Sequence, residues 1–135
     1  MTLTLRVLAP DQSVFDGAAD EVILPSTTGQ MGILPGHVAM LAALDTGVMR
    51  VREAGTWKAI ALMGGFAEVE NNEVTVLVNS AELASGIDAA AAERDFEAAQ
   101  QAAAALEGQP ESTEKVKAQQ ALSRARARFQ ATKAA

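Results

Sequence analysis

The sequence predicts a β + α chain, in which an N-terminal antiparallel β-sandwich (residues 1–85) precedes a C-terminal antiparallel αα-hairpin (residues 86–135). Two observations predict this division. Before Gly86, apolar and polar residues alternate in short runs that turn residues separate, which is typical of a sandwich or small barrel. After Gly86, the apolar residues recur with the period of a helix, and Gly108 interrupts them once.

Short alternating runs in the first half predict the strands. In the first run Leu3, Leu5 and Val7 alternate with polar residues, so one face of the strand is apolar. We expect Pro25 to end the second run. Because no helical segment long enough for a crossover separates the runs, we do not expect parallel strands. The runs that we interpret as strands are LTLRV (3–7), EVIL (21–24), VMRVR (48–52), WKAIALM (57–63), FAEVEN (66–71) and EVTVLVN (73–79).

Turn residues separate these predicted strands. Asn71 and Asn72 tolerate the left-handed conformation that a two-residue hairpin requires, so they predict a hairpin between the last two strands. Gly64 and Gly65 lack the further glycines and the lysine of phosphate-binding loops, and they predict a tight turn between two strands. The polar segment 80–86 has the composition of a linker to the second half.

Two helices are predicted after this linker. Asp88 is a good N-cap for the first helix, and Gly108 with Pro110 should end it. Ser112 or Thr113 can cap the second helix. The apolar stripe of the first helix holds Phe96, Ala99, Ala103 and Leu106, and that of the second holds Val116, Leu122, Ala125 and Phe129.

The stripes of both helices are rich in alanine, which buries much less apolar area than leucine does. We therefore expect the hairpin to be marginal alone and to dock on the sandwich or on a partner. The first helix is acidic and the second is basic, which favours their pairing with each other. Composition leaves two possibilities open, a movable hairpin and a permanently docked one.

Composition and charge exclude several classes of function. The chain has no cysteine, so disulfides, thiolate zinc sites and cysteine nucleophiles are excluded. Its net charge of −6 argues against nucleic acid as a main ligand, because phosphate neutralisation needs a basic face. No run of about 18 apolar residues is present, so we expect no membrane span, and membrane association only through a partner.

The one histidine of the chain, His37, lies in the stretch GILPGHVAMLAAL at residues 32–44. A catalytic or metal-binding role would need a second histidine, a cysteine or a Ser-Asp pattern nearby, and none is present. We therefore interpret His37 as a residue of an exposed loop that contacts a partner or makes a structural hydrogen bond. No catalytic, cofactor-binding or metal-binding residue is predicted, and the sequence does not indicate an enzyme.

Three arginines alternate along the second helix. Arg124 and Arg128 are four residues apart and share a face, whereas Arg126 points elsewhere. The pair could bind phosphate or the carboxylates of another subunit, because guanidinium groups bind both well. A solvated basic face is an equally good interpretation from the spacing alone.

Three segments together resemble a known family. They are STTGQMGILPGHVAMLAALDTGVMRVR, then ALMGGFAEVENNEVTVLVNSAE, and finally the alanine-rich hairpin that ends in ALSRARARFQ. The chain resembles the epsilon subunit of F-type ATP synthase over nearly its whole length, most closely the cyanobacterial and chloroplast branch. The most specific signal is the glycine-rich segment made of Gly29, Gly32, Ile33, Pro35, Gly36 and His37.

The resemblance implies a non-catalytic rotor subunit of the central stalk, which helps to couple proton flow to ATP synthesis from ADP and phosphate. Its partners would be the gamma subunit and the ring of membrane-embedded c subunits. The hairpin would either fold on the sandwich or extend toward the catalytic alpha and beta subunits and hinder ATP hydrolysis. This branch implies a peripheral position on the cytoplasmic or stromal face of the thylakoid membrane.

The resemblance also assigns expected roles to particular residues. Gln30, Met31 and His37 match the region that meets the loops of the c-ring. Some relatives carry an acid where this chain has Gln30, so an ion pair there is not expected. The basic end of the second helix, with Arg124, Arg126 and Arg128, matches the part that reaches the acidic surface of the catalytic subunits in the extended form.

An alternative function is a nucleotide-sensing module, because some bacterial relatives bind ATP in the hairpin through an I-D-x-x-R-A motif. Ile87 and Asp88 keep the first two positions, but Ala91 stands where the arginine would be. Loss of one phosphate-binding charge should cost about 1.5–3 kcal/mol. We therefore expect weak ATP binding at most and no bound cofactor.

Overall fold

The computed structural model describes residues 2–134. This part of the chain contains eight strands, followed by a short 3₁₀ turn (Ala84–Gly86) and two α-helices. The strands are β1 (Leu3–Ala9), β2 (Gln12–Ala19), β3 (Glu21–Ser26), β4 (Gly29–Ile33), β5 (Met40–Glu53), β6 (Thr56–Glu70), β7 (Glu73–Val78) and β8 (Ala81–Leu83), and the helices are α1 (Ala89–Ala105) and α2 (Thr113–Lys133).

The strands form a mostly antiparallel sandwich, as the sequence predicts. They are hydrogen-bonded in the order β2-β1-β7-β6-β5-β3-β4, and β8 pairs with β6. The sheet folds over one core, to which every strand from β1 to β8 contributes buried apolar side chains or partly buried ones packed against them. The largest fully buried side chains are Leu3, Leu5, Leu24, Ile33, Met49, Ile60 and Leu62.

One pair of strands is parallel, which the sequence did not lead us to expect. β1 pairs with β7 in parallel, from Thr4 opposite Glu73 to Leu8 opposite Leu77. A parallel pair needs a long connection, but the connection need not be a helix. Here the strands β2 to β6 form the connection, because the chain passes around the sandwich before it returns beside β1.

The predicted tight turn at Gly64 and Gly65 is wrong, because β6 runs through both residues as one strand. On the N-terminal side of the glycines Ile60 and Leu62 face the core, whereas beyond them Ala67 and Val69 do. The side of the strand that faces the core therefore shifts by one residue at the glycine pair. β6 also changes its partner there, from β8 to β7, so the glycines form a corner of the sandwich.

Two other segments differ from their predicted boundaries. β3 continues through Pro25 to Ser26, although proline cannot donate to the ladder. The pairing of β3 with β5 is irregular at this point, and Gly47 lies opposite the proline ring, where a Cβ would come within 3.0 Å of Pro25. The predicted linker 80–86 is also wrong, because it contains β8 and the 3₁₀ turn.

The predicted hairpin turn at Asn71 and Asn72 is confirmed, since both residues have positive φ between the paired Glu70 and Glu73. Both helix starts are confirmed as well. The Asp88 carboxylate accepts from the Ala91 N–H at 3.1 Å, and the Ser112 hydroxyl accepts from the Lys115 N–H at 3.1 Å. These caps fix where the two arms of the hairpin begin.

The helices pack against each other, and α2 lies on β5 and β6. The stripe predicted for α1 is confirmed, because Phe96, Ala99, Ala103 and Leu106 are all partly buried. The stripe predicted for α2 is wrong at Val116, which is 42% exposed. Ala127 and Ala131 are instead the buried residues of α2, because they face the sandwich rather than α1.

Candidate interaction surfaces

An apolar row crosses the outer face of the sandwich. Register pairs place Leu8 beside Leu77, Leu77 beside Phe66, and Phe66 beside Ala43, so their side chains lie on one face of four neighbouring strands. Phe66 is 57% exposed and Leu77 is 50% exposed. Leu41 extends the row, because it lies two residues from Ala43 on the same strand face and is also exposed. We call these five residues the outer row.

The outer row is opposite in phase to the core. In β7 and in the part of β6 that pairs with it, the core residues Ala67, Val69, Val74 and Val76 point to the opposite side of the sheet. Large apolar side chains on both faces of a strand are unusual for a sheet with one face in water. Because large exposed apolar patches often mark interaction sites, the outer row is a candidate contact surface.

A second exposed surface is the loop of residues 34–39, between β4 and β5, which carries His37. Leu34 is exposed, and Val38 is 74% exposed. The loop is held in a turn, because the His37 N–H donates to the Leu34 carbonyl at 3.1 Å. The His37 ring is half-buried, and its Nδ1 lies 2.7 Å from the Val38 carbonyl, so this nitrogen donates to its neighbour's backbone.

The other two predicted residues of this region lie in β4. Gln30 is exposed and pairs with Pro25 in the ladder between β3 and β4. Met31 is partly buried and packs against the sandwich core. In residues 2–134 no hydrogen bond joins the Gln30 side chain to His37, so the structure does not bring these two side chains into direct contact through a hydrogen bond.

The seam between hairpin and sandwich is built from small residues. Its buried members are Ala59, Ala61, Ile87, Ala92, Ala127 and Ala131. Ala59 and Ala61 lie on β6, whereas Ala127 and Ala131 lie on α2. Ile87, the first residue of the predicted ATP motif, packs in this seam. Asp88, the second, is the N-cap of α1.

Charged side chains also join the hairpin to the sandwich, through an ion pair of Arg128. The Arg128 Nε donates to the Glu82 carboxylate at 2.9 Å, and its Nη1 lies 3.6 Å from the Asp95 carboxylate. Arg128 therefore joins β8, α1 and α2. The Arg126 guanidinium lies 6.0 Å from the centre of the Phe96 ring, and Arg124 is exposed.

The structure thus separates the three arginines that the sequence groups together. Only Arg128 contacts the sandwich, through Glu82. Sequence reasoning missed Glu82 because it lies 46 residues before its partner, in a segment predicted to be a linker. The outer row was also missed, although one signal was present: Phe66 and Leu77 are large apolar residues that are out of phase with the alternation around them.

Neither helix among residues 2–134 is long and apolar enough to cross a membrane. Over the same residues, no group of three or more His, Asp or Glu side chains is arranged to hold a metal ion.

Two family models together cover nearly the whole chain. The model for the β-sandwich domain of the ATP synthase delta/epsilon chain matches residues 2–84, and the model for its long α-helix domain matches residues 85–133. The chain belongs to the ATP synthase delta/epsilon chain family. Membership of this family agrees with the predicted resemblance and with the expectation that the chain is not the catalytic subunit of that complex.

Curated relatives in this family are close in sequence and equal in length. An ATP synthase epsilon chain of Synechococcus sp. (strain WH7803) is 73% identical over 133 residues, which cover 98% of each chain. One from Synechococcus sp. (strain CC9902) is 71% identical over 135 residues, which cover 100% of this chain and 99% of the relative. One from Prochlorococcus marinus (strain MIT 9211) is 67% identical over 135 residues, with full coverage of both.

Two solved structures with low sequence identity share the fold. A chain in the Euglena gracilis mitochondrial ATP synthase (OSCP/F1/c-ring) matches with a TM-score of 0.79 at 21% identity, over 98% of this chain and 80% of that one. A chain in the central stalk and c-ring of Tetrahymena thermophila mitochondrial ATP synthase matches with a TM-score of 0.62 at 18% identity, over 98% and 97%. The fold of a sandwich followed by two helices therefore also occurs in a chain of each of these two complexes.

Proposed function

We propose that the chain is a rotor subunit of the central stalk, which helps to couple proton flow through the membrane sector to ATP synthesis from ADP and phosphate. The observation that carries this proposal is the outer row, an apolar surface on a sandwich that has its own complete core. Family membership supports a stalk subunit as the occupant. The cyanobacterial relatives support a peripheral location at the thylakoid membrane, on its cytoplasmic face.

The outer row is the proposed contact with the gamma subunit. Full burial of a Phe or Leu side chain contributes about 1.5–3 kcal/mol, and contacts of this kind dominate binding when they lie at the centre of an interface. Phe66 and Leu77 are neighbours at the centre of the row. Their exposure in the isolated chain is therefore the feature that a gamma subunit would remove.

Charge placed in the outer row tests this contact. Phe66→Asp should weaken binding of purified gamma subunit about tenfold to a hundredfold in titration calorimetry, since its apolar area would no longer be buried. Val116→Asp is the matched control, because it places the same charge on an exposed apolar position of α2. Equal affinity of both variants for gamma would refute the proposed contact.

The loop 34–39, together with Gln30 and Met31, is the proposed contact with the c-ring. Two features support it: the loop exposes Leu34 and Val38, and the His37 ring bonds only within the loop itself. His37→Ala should lower proton-driven ATP synthesis in membranes while the thermal unfolding temperature of the isolated chain stays nearly constant. A large loss of thermal stability would make His37 a folding residue instead.

The hairpin is the proposed inhibitor of ATP hydrolysis, acting in an extended form in which it contacts the alpha and beta subunits. The thin alanine seam supports this mobility, as does the position of Arg128. In the docked form Arg128 pairs with Glu82 and Asp95. Extension must break the pair with Glu82, so Arg128 becomes available to a new acidic partner only when the hairpin leaves. Arg124 and Arg126 are proposed to join it there.

Removal of the hairpin tests the inhibition. A complex reconstituted without residues 86–135 should hydrolyse ATP faster than the intact complex. A second sample, carrying Glu82→Cys and Arg128→Cys joined by a short bis-maleimide crosslinker, should hold the hairpin docked and reach the same rate. The same double variant without crosslinker is the control. If neither sample is faster than its control under any condition, the hairpin is not an inhibitor.

We also propose that the chain holds no resident nucleotide, and that any ATP binding is weak. Asp88 is already used as a helix cap, and Arg128 is already paired with two carboxylates. A phosphate would have to displace these partners. Titration of the isolated chain with ATP should give little heat, and Arg124→Ala should change it little. Tight binding that Arg124→Ala abolishes would favour the nucleotide-sensing alternative.

A further inference from the structure

The turn between β6 and β7 contacts the loop 34–39 through one side chain. The Gly36 N–H donates to the Asn72 Oδ1 at 2.7 Å, and the two residues are 36 positions apart. Among the described residues, this is the one hydrogen bond that links loop 34–39 to another segment, because its other bonds lie between loop residues. The position of the loop therefore depends on this contact.

Asn72 is itself held firmly. Its φ of +61° lies in the left-handed region, which asparagine tolerates better than most residues. Its carbonyl accepts from the Thr4 N–H at 2.8 Å, so β1 fixes its backbone. Gly36 has a φ of +88°, a conformation that suits glycine, and nothing lies within 4 Å of where its Cβ would be. The Asn72 side-chain oxygen is thus a fixed acceptor from outside the loop, in addition to the turn bond between His37 and Leu34 within it.

We infer that Asn72 is a positioning residue that fixes loop 34–39 for its contact with the c-ring. It acts through Gly36, and not by touching the partner. Asn72 sets the direction in which His37 and the exposed Val38 are presented. This inference rests on the proposed contact of the loop with the c-ring, and it adds a residue from a different segment to that surface.

The adjacent residue offers a matched control. Asn71 has a φ of +50° in the same turn, is exposed, and has no side-chain hydrogen bond within the described chain. Asn72→Gly removes the acceptor but suits the left-handed backbone, so the turn should keep its conformation. Asn71→Gly relaxes the same turn without touching the bond. Asn72→Asp keeps an oxygen acceptor at the same position and tests rescue.

The first measurement is amide hydrogen exchange at Gly36 in the full isolated chain, by NMR. Asn72→Gly should lower the protection of this amide about tenfold, which is the loss expected for one hydrogen bond of ordinary strength. Asn71→Gly and Asn72→Asp should keep it near the value of the unaltered chain. Unchanged protection in Asn72→Gly would overturn the inference at once.

The second measurement is proton-driven ATP synthesis by membranes that carry the assembled complex. Asn72→Gly should lower the rate in the same direction as His37→Ala, and Asn72→Asp should restore it. If His37→Ala lowers the rate but Asn72→Gly does not, the positioning role is refuted while the proposed ring contact survives. If neither variant lowers the rate although Gly36 has lost protection, the ring contact fails, and the inference fails with it.

Discussion

The side chains of the sandwich core and of the hairpin seam are buried to the same fraction, but those of the core are larger. Leu5, Ile33 and Leu62 in the core are fully buried, and so are Ala61 and Ala131 in the seam. Full burial contributes about 1.5–3 kcal/mol for a leucine, but only about 0.8 kcal/mol for one methyl or methylene group. Stabilisation therefore follows the apolar area that a side chain buries, and not the fraction of that side chain that is buried.

This difference supports the proposal that the sandwich stays folded while the hairpin can be released. All eight strands contribute to the core of the sandwich, most of them with large side chains, and no residue of the hairpin is needed to fill it. The hairpin is attached through buried alanines and Ile87, through the partly buried Val48, Met63 and Phe129 that pack against them, and through a partly exposed ion-pair cluster. If the hairpin is released as proposed, its docked and undocked forms should differ by only a few kcal/mol, which is the range in which a partner can shift the population.

The largest effect is expected at Gly65, the corner of the sandwich. A Cβ on this residue would lie 2.0 Å from the Leu77 carbonyl oxygen, which is backbone and cannot rotate away. Gly65→Ala should cost more than about 4 kcal/mol of unfolding free energy in urea denaturation. Gly55→Ala is the control, because it also has positive φ but open space around it. Similar losses of unfolding free energy in both variants would mean that the destabilisation comes from backbone strain and not from the clash with the Leu77 carbonyl.

A second variant compares the two regions directly, through neighbouring residues of β6. Leu62 faces the core and Ala61 faces the seam. Leu62→Ala should cost about 3 kcal/mol, because it leaves a cavity among large side chains. Ala61→Gly should cost about 1 kcal/mol, from one lost methyl and a more flexible backbone. Equal losses in urea denaturation would contradict the contrast between core and seam.

A third variant should release the hairpin and leave the sandwich intact. Ala131 is completely buried in the seam, so Ala131→Leu overpacks it at a cost of about 2 kcal/mol. Limited proteolysis should then cut α1 and α2 faster while the sandwich resists. Ala121→Leu, at an exposed position of the same helix, should leave the cleavage pattern unchanged. If the sandwich is digested together with the helices, the two parts are not independent.

The smallest effect is expected at the ion pairs of Arg128. All three side chains are partly exposed to solvent, so Arg128→Gln should loosen the docked hairpin by less than about 1 kcal/mol. A double-mutant cycle with Glu82→Gln, read by hydrogen exchange in α2, isolates the coupling of the pair. The coupling should shrink at high salt, because partly exposed charges are screened. Coupling that salt leaves unchanged would indicate a contact other than the ion pair.

The sequence was sufficient for several features that depend on local pattern, although it gave no signal that we interpreted as β2 or β4. Alternation located β1 and the strands on both sides of Asn71 and Asn72, and capping residues located the start of each helix. The glycine-rich loop and the alanine-rich hairpin were specific enough to indicate the family. Each of these features depends on residues that are close together in the chain, so it can be recognised from the sequence alone.

What the sequence could not provide depends on distant partners. Gly64 and Gly65 resemble a turn locally, and only the switch of β6 from β8 to β7 makes them a corner. Val116 fits the helical period, but the position of α2 on the sandwich selects Ala127 and Ala131 instead. The partner of Arg128 could not be found because β8 is only three residues long and gives no periodic signal.

The paired strands β5 and β6 carry both surfaces, since Ala43 and Phe66 lie at one end of the pair, and Ala59 and Ala61 lie toward the other. From Phe66 to Ala61 the strand can span at most about 17 Å, at roughly 3.3 Å per residue. If the outer row contacts the gamma subunit as proposed, this pair of strands sets the distance between gamma and the docked hairpin. Inserting residues into both strands at the glycine corner would change this distance without altering any residue of the outer row or of the seam.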